Sequence, residues 1–127
     1  MLLDTTVLID VLRGRPAGAR LMALRSTGDQ PYTSAINVEE VFRGVRTGEI
    51  GAVEQLFAGL RVVSVGRDEG RRAGEWRRDY AGRGITLSQA DCLVAAAAAG
   101  IGGVLCTGNP KDFPMSGLDV QHWPVGQ

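Results

Sequence analysis

The chain has 127 residues, of which 44% are hydrophobic and 22% are charged, so it is long and apolar enough to fold as a single globular domain over residues 1–127. Its 14 basic and 14 acidic residues cancel, which excludes attraction to nucleic acid through net charge alone. The first ten residues hold two aspartates and no basic residue, and the uncharged stretch 92–106 is too short to span a membrane. We therefore expect a cytoplasmic protein without a signal peptide.

Five short segments of apolar or β-branched residues predict strands. They lie at residues 1–4, 32–35, 61–66, 103–107 and 120–123, the last as an edge strand. Helical spacing of apolar residues, together with stop signals, predicts helices between them. These cover TTVLIDVL up to Gly14, residues 17–24, a segment from Asn37 to near Arg46, the segment 47–60, residues 67–83 and a segment from Ser88 to Gly100. The alternation of strands and helices indicates an α/β fold with a central parallel sheet and helices on both faces.

Two helix starts carry a capping-box spacing, in which a small polar residue precedes an acid by three positions. Asn37 stands three residues before Glu40, and Ser88 stands three residues before Asp91. We predict that these pairs begin the third and the last of the long helical segments.

Four acidic residues each stand where a strand ends or a helix begins: Asp4, Glu40, Asp91 and Asp112. In an open α/β sheet these places face the same crevice. Carboxylates brought together repel one another unless a positive charge lies between them, and a divalent cation with oxygen ligands supplies that charge. The pattern favours a metal-dependent enzyme acting on phosphates.

Each acid also has a purely structural explanation, and the residues alone leave both open. Asp4 is a suitable N-cap for the first helix, while Glu40 and Asp91 would close capping boxes. Asp112 and Asn109 are typical turn residues in the loop after the fourth strand.

The basic residues are 13 arginines and the single Lys111, and six of the arginines lie between residues 67 and 83. Guanidinium groups suit phosphate oxygens, but a solvated helix face with local ion pairs explains the cluster equally well. Cys92 and Cys106 have no metal-binding spacing and are predicted to be buried thiols in a reducing compartment. His122 has no evident partner, which argues against a histidine-based triad.

Four segments in order, LLDTTVLID, TSAINVEEVFRG, LSQADCLVAAAA and LCTGNPKDF, resemble the motifs of PIN domains, and more narrowly those of VapC-type toxin ribonucleases of bacterial toxin–antitoxin pairs. The resemblance spans the chain. It implies a Rossmann-like PIN fold and an endoribonuclease, a hydrolase dependent on Mg²⁺ or Mn²⁺, that leaves a 5′-phosphate and a 3′-hydroxyl. It also implies an RNA substrate held at its backbone by arginines, a cognate antitoxin whose tail occupies the active-site groove, and a homodimer.

Carried onto this sequence, the resemblance makes Asp4 and Asp91 the metal ligands. Glu40, with Gly44 four residues later, completes or flanks the metal site, and Asp112 is the fourth catalytic acid.

Two further residues are expected to orient these groups from behind. Thr6 matches the hydroxyl residue that supports the first aspartate, and Asn109 stands where many PIN domains have an acid.

Two alternatives remain: a PIN-like module that binds RNA or protein without cutting, and a phosphotransfer domain. The second needs a lysine at the end of a late strand, whereas Lys111 falls in a loop.

Overall fold

The computed structural model describes residues 1–126, and Gln127, the last residue of the predicted domain, lies outside them. The described residues form one parallel sheet. Its strands are β1 (Leu2–Leu3), β2 (Tyr32–Ser34), β3 (Arg61–Val63), β4 (Leu105–Thr107) and β5 (Val120–His122). Their order across the sheet is β3-β2-β1-β4-β5, and all four pairings are parallel, which confirms the predicted sheet and places the last strand at an edge.

The connections between strands contain the helices that the sequence predicts, with shifted ends. They are α1 (Thr5–Leu12), α2 (Pro16–Ser26), α3 (Ala35–Arg43), α4 (Ile50–Ala58), α5 (Arg67–Ala81) and α6 (Gln89–Gly100), with single 3₁₀ turns at Thr47–Glu49 and Pro110–Asp112. The predicted helix over 47–60 begins as the first of these turns, and the predicted loop after β4 holds the second.

Alternating side chains of the adjacent strands β1 and β4 reach two separate cores, one on each face of the sheet. Leu2 and Leu105 pack with buried residues of α5 and α6. Leu3 and Cys106 pack with buried residues of α1, α2, α3 and α4. Because successive side chains of a strand point to opposite faces, a two-residue strand such as β1 supplies one leucine to each core. Helices therefore cover both faces, as predicted.

Small residues allow α6 to lie deep in the first of these cores. Its alanines at positions 95 to 98 are at most 2% exposed, and Cys92 is fully buried. Cys106 is fully buried in the opposite core, so the predicted burial of both thiols is confirmed. Within residues 1–126, no helix is both long and apolar enough to cross a membrane.

The start of α3 differs from the predicted one. Ser34, at the end of β2, is the N-cap residue with an extended backbone, and Asn37 closes the capping box. The prediction that Asn37 caps the helix and that Glu40 closes the box is wrong. Residues 34–37 and 37–40 have the same capping spacing, and because β2 ends at Ser34, the helix begins with the earlier of the two. The predicted start of α6 is confirmed, since the Ser88 hydroxyl accepts a hydrogen bond from the Asp91 N–H at 3.1 Å.

Candidate active site

The site lies at the carboxyl ends of β1 and β4. The two strands pair with Leu3 opposite Cys106, and the Asp4 N–H donates to the Cys106 carbonyl at 2.9 Å. The residues that follow these partners, Asp4 and Thr107, are therefore neighbours although 103 positions separate them. The sheet register thus places a carboxylate beside a hydroxyl at the crevice.

Asp4 is only 6% exposed, and its carboxylate is held by three side chains. Oδ2 accepts hydrogen bonds from Oγ1 of Thr107 at 2.8 Å and from Oγ1 of Thr6 at 3.2 Å, while Oδ1 accepts one from Nδ2 of Asn37 at 3.5 Å. Asp4 occupies the N-cap position of α1, but its side chain makes no capping hydrogen bond. Helix capping therefore does not account for this carboxylate.

The two threonine hydroxyls that hold Asp4 are themselves oriented by the loop after β4. Thr6 Oγ1 accepts from the Gly108 N–H at 2.9 Å, and Thr107 Oγ1 accepts from the Asn109 N–H at 3.0 Å. A hydroxyl that receives an N–H directs its own single proton elsewhere, here toward Asp4. Asn109 takes part through its backbone, and no hydrogen bond of its side chain occurs among the described residues.

The other predicted acids approach Asp4 from three elements. Glu40 is half-buried on α3, and its Oε1 accepts from Oγ1 of Thr5 at 2.7 Å. Asp91 lies in the first turn of α6, half-buried, while Asp112 is exposed in the 3₁₀ turn after β4. The structure thus brings these acids to one side of the sheet.

Electrostatics joins the four acids into one cluster. Burial raises the pKa of Asp4 and outweighs the threonine hydrogen bonds that lower it, and the charge of Asp91 raises it further. Burial also raises the pKa of Asp91, to which the charges of Asp112 and Glu40 add. Neighbouring negative charges thus make Asp4 and Asp91 harder to ionise.

The donor set fits a hard divalent cation. The ion pairs found in residues 1–126 involve Glu39, Glu75 and Asp79, and none of them involves a site carboxylate. No three acidic, histidine or cysteine side chains of the described part already form a group that could hold an ion. Mg²⁺ commonly takes one or two carboxylates and keeps several waters, so the arrangement suits such an ion better than one that needs a closed protein cage.

Four residues of this site escaped the sequence analysis: Ser34, Asn37, Thr5 and Thr107. Thr5 follows Asp4 directly, so a polar residue beside a site acid was the available signal there. Thr107 ends a buried strand, and no local signal marks it. Asn37 had been assigned to a cap of its own.

The arginines of α5, with Arg83 just beyond its end, form an exposed face with local partners. Arg71 lies 3.9 Å from Glu75, Arg72 stacks over Trp76 and Arg83 lies over the Tyr80 ring with 4.2 Å to its centroid. These contacts agree with the solvated-face interpretation of the cluster, and contact with an RNA backbone stays a prediction.

Known proteins similar to this chain have the same fold and the name of a nuclease. The sequence model of the PIN domain matches residues 1–114. The chain belongs to the PIN-domain family. Ribonuclease VapC19 of Mycobacterium tuberculosis is 36% identical to this PIN domain over 115 residues, which cover 90% of this chain and 92% of the relative. Within its family, this PIN domain therefore belongs with the VapC-type ribonucleases, and PIN ribonucleases generally depend on a divalent metal ion.

Two solved structures have the same fold along nearly their whole length. VapBC-1 of nontypeable Haemophilus influenzae is 25% identical with a TM-score of 0.81, and 96% of each chain is covered. A toxin–antitoxin complex from Klebsiella pneumoniae is 26% identical with a TM-score of 0.78, covering 99% of this chain and 98% of the other. The α/β architecture predicted from the sequence is that of this family.

Proposed function

We propose that residues 1–127 form a single PIN domain that acts as a metal-dependent endoribonuclease, the toxin of a toxin–antitoxin pair. The observation that carries this proposal is the cluster of four acids around the end of β1, in which Asp4 is buried without a cationic partner among residues 1–126. Such a cluster costs free energy in an apo protein, and a bound cation offsets that cost. The name ribonuclease borne by the 36% identical relative supports RNA as the substrate.

In this proposal Asp4 and Asp91 would bind a divalent ion, Mg²⁺ or Mn²⁺, and Glu40 would complete or flank the site. An ion held by these residues would favour ionisation of the attacking water and would offset charge on the scissile phosphate. Glu40 or Asp112 would accept the proton of the attacking water. The water oxygen bonds to phosphorus while the bond from phosphorus to the 3′ oxygen breaks, and that oxygen takes up a proton from solvent. The products then carry a 5′-phosphate and a 3′-hydroxyl.

The surrounding residues hold the acids for this reaction. Thr6 orients Asp4 through its hydroxyl, and Asn109 acts through its N–H to Thr107. Exposed arginines at the rim hold the RNA backbone, because their planar groups match phosphate oxygens.

The proposed partners are a cognate antitoxin and a second copy of the chain in a homodimer. A cavity of about 240 Å³ lies beside Glu40 between α1, α3 and α4, and its wall combines Ile9 and Leu12 with Arg13 and Glu49. This mixture of apolar wall and charged rim suits the tail of an antitoxin. The similar Klebsiella pneumoniae structure, a toxin–antitoxin complex, supports such a partner.

The test is cleavage of total bacterial RNA by the purified, antitoxin-free protein in Mg²⁺, in Mn²⁺ and in EDTA, alongside Asp91→Asn. We expect discrete fragments only with metal. The cleavage rate of Asp91→Asn should fall by more than the roughly 100-fold that is typical of losing a residue that only orients a metal ligand. Asp79→Asn, an exposed change on α5, is the matched control and should cut like the wild type.

The outcomes separate the alternatives. If the protein is folded and the RNA stays intact in every condition, the nuclease hypothesis is wrong, and a catalytically silent module that binds RNA or protein takes its place. Cleavage that survives in Asp91→Asn would identify a contaminant. Mapping the fragment ends then decides whether the products carry a 5′-phosphate.

A further inference from the structure

Asn37 is a fully buried polar side chain whose oxygen is fixed by the start of α3. Its Oδ1 accepts two hydrogen bonds from Ser34, one from the N–H at 3.1 Å and one from the hydroxyl at 2.6 Å. Because a backbone N–H can only donate, the atom facing it must be the amide oxygen. The capping box therefore decides which way the Asn37 amide points.

The amide nitrogen of Asn37 is consequently directed into the acid cluster. Nδ2 donates to Oγ1 of Thr5 at 3.0 Å and lies 3.5 Å from Oδ1 of Asp4. A helix cap alone would require only the oxygen and the backbone N–H of this residue. The nitrogen thus makes contacts that capping does not explain.

Thr5 passes this direction on to Glu40. Its hydroxyl accepts from Asn37, so its single proton is free for Oε1 of Glu40, which lies 2.7 Å away. The donors run in one direction, from Ser34 through Asn37 and Thr5 to Glu40. We call these four residues the relay. Among the described residues no hydrogen bond reaches Oε2 of Glu40, and that oxygen remains available to an ion or to water.

We propose that Asn37 is a positioning residue that sets the separation and orientation of the Asp4 and Glu40 carboxylates for a divalent cation, directly at Asp4 and through Thr5 at Glu40. This inference rests on the proposed function. Residues behind metal ligands orient them, and their loss typically weakens metal affinity about 10- to 100-fold. The relay assigns that role to a side chain that also closes a helix cap, so forming α3 and arranging the two carboxylates occur together.

The experiment measures the Kd of Mn²⁺ by electron paramagnetic resonance of the free ion, without any RNA. We expect Thr5→Val and Asn37→Ala to weaken binding by roughly 10-fold or more. Thr5→Ser, which keeps the hydroxyl, should bind like the wild type. Melting curves followed by circular dichroism establish that each variant is folded.

Two controls separate positioning from general destabilisation. Thr33→Val removes another buried hydroxyl, which donates to the Leu3 carbonyl at 2.9 Å on the neighbouring strand without touching a site acid. It should lower the melting temperature and leave the Mn²⁺ Kd unchanged. In a Glu40→Ala background, Thr5→Val should change the Kd less than twofold, because the group that it positions is gone.

Folded Thr5→Val and Asn37→Ala proteins that bind Mn²⁺ within twofold of the wild type would overturn the relay. The same weakening in Thr33→Val would also overturn it. If the wild type binds Mn²⁺ and cuts RNA while the relay variants match it, only the relay fails. A wild type that neither binds the ion nor cuts RNA overturns the proposed function as well.

Discussion

At the scale of single residues, the surroundings of two site acids, Asp4 and Asp91, oppose their ionisation. The pKa of Asp4 and that of Asp91 are both raised, each chiefly by burial and then by neighbouring carboxylates. A raised pKa in the folded state favours the protonated form. Its contribution to stability is therefore present below the pKa of the unfolded chain and is lost as pH rises through the folded-state pKa. Once ionised, these two groups therefore destabilise the metal-free fold.

Asp91→Asn is accordingly expected to stabilise the metal-free protein at pH 7. Removing a charge repelled by Asp112 and Glu40 should raise the melting temperature in EDTA by about 2–4 °C, corresponding to roughly 0.5–1 kcal/mol after allowance for solvent screening. The gain should shrink as pH falls toward the ordinary aspartate pKa. Thermal melts of both proteins across pH measure it.

Adding Mn²⁺ in excess should reverse this order, because the ion stabilises only the protein that binds it. Asp79→Asn, exposed on α5, is the control for removing a charge elsewhere. A wild type that melts above Asp91→Asn in EDTA at neutral pH would contradict the electrostatic account.

At the scale of elements, the close packing of α6 against the sheet and α5 requires side chains no larger than alanine at several positions. Ala95, Ala97 and Ala98 are fully buried between the sheet and α5. The start at Ser88 and the stop at Gly100 predicted this helix from the sequence.

Ala98→Leu should therefore overpack this contact. We expect a loss of about 1–3 kcal/mol in the free energy of unfolding, measured by urea denaturation. Ala23→Leu places the same side chain on the exposed face of α2 and should change stability by less than about 0.5 kcal/mol. Equal losses in the two variants would show that packing at α6 is not the cause.

Most helices and strands could be predicted from the sequence, but the start of α3 could not. The strands and helices could be predicted because alternation and helical spacing are properties of neighbouring residues. The start of α3 could not, since SAIN and NVEE offer the same capping spacing, and only the pairing of β2 with β1 and β3 decides that Ser34 ends a strand. Thr107 meets Asp4 through strand register, which no local pattern encodes.

At the scale of the whole molecule, two cores share β1 and β4, and one cysteine lies in each core. Cys92 belongs to the face of α5 and α6, while Cys106 belongs to the face of α1 and α2. Burial raises the pKa of both thiols, that of Cys106 to about 11. Neither thiol should react with an alkylating reagent at neutral pH while the fold is intact.

We expect the two thiols to become reactive with the same free energy of opening, because neither core persists without the shared strands. The single-thiol variants Cys92→Ala and Cys106→Ala, labelled at a series of urea concentrations, measure the two values separately. Markedly faster labelling of Cys92 would instead mean that α5 and α6 open by themselves.

The position of β1 also has a consequence for the protein during its synthesis. The strand that precedes Asp4 is made before β2 and β4, yet it lies between them, and the Asp4 carboxylate takes its shortest hydrogen bond from Thr107. A ribosome must therefore release the 103 positions that separate Asp4 from Thr107 before this acid acquires its hydroxyl partner. A nascent fragment that stops before β4 lacks that partner and its neighbouring strand, so the site remains unassembled until β4 has left the ribosome.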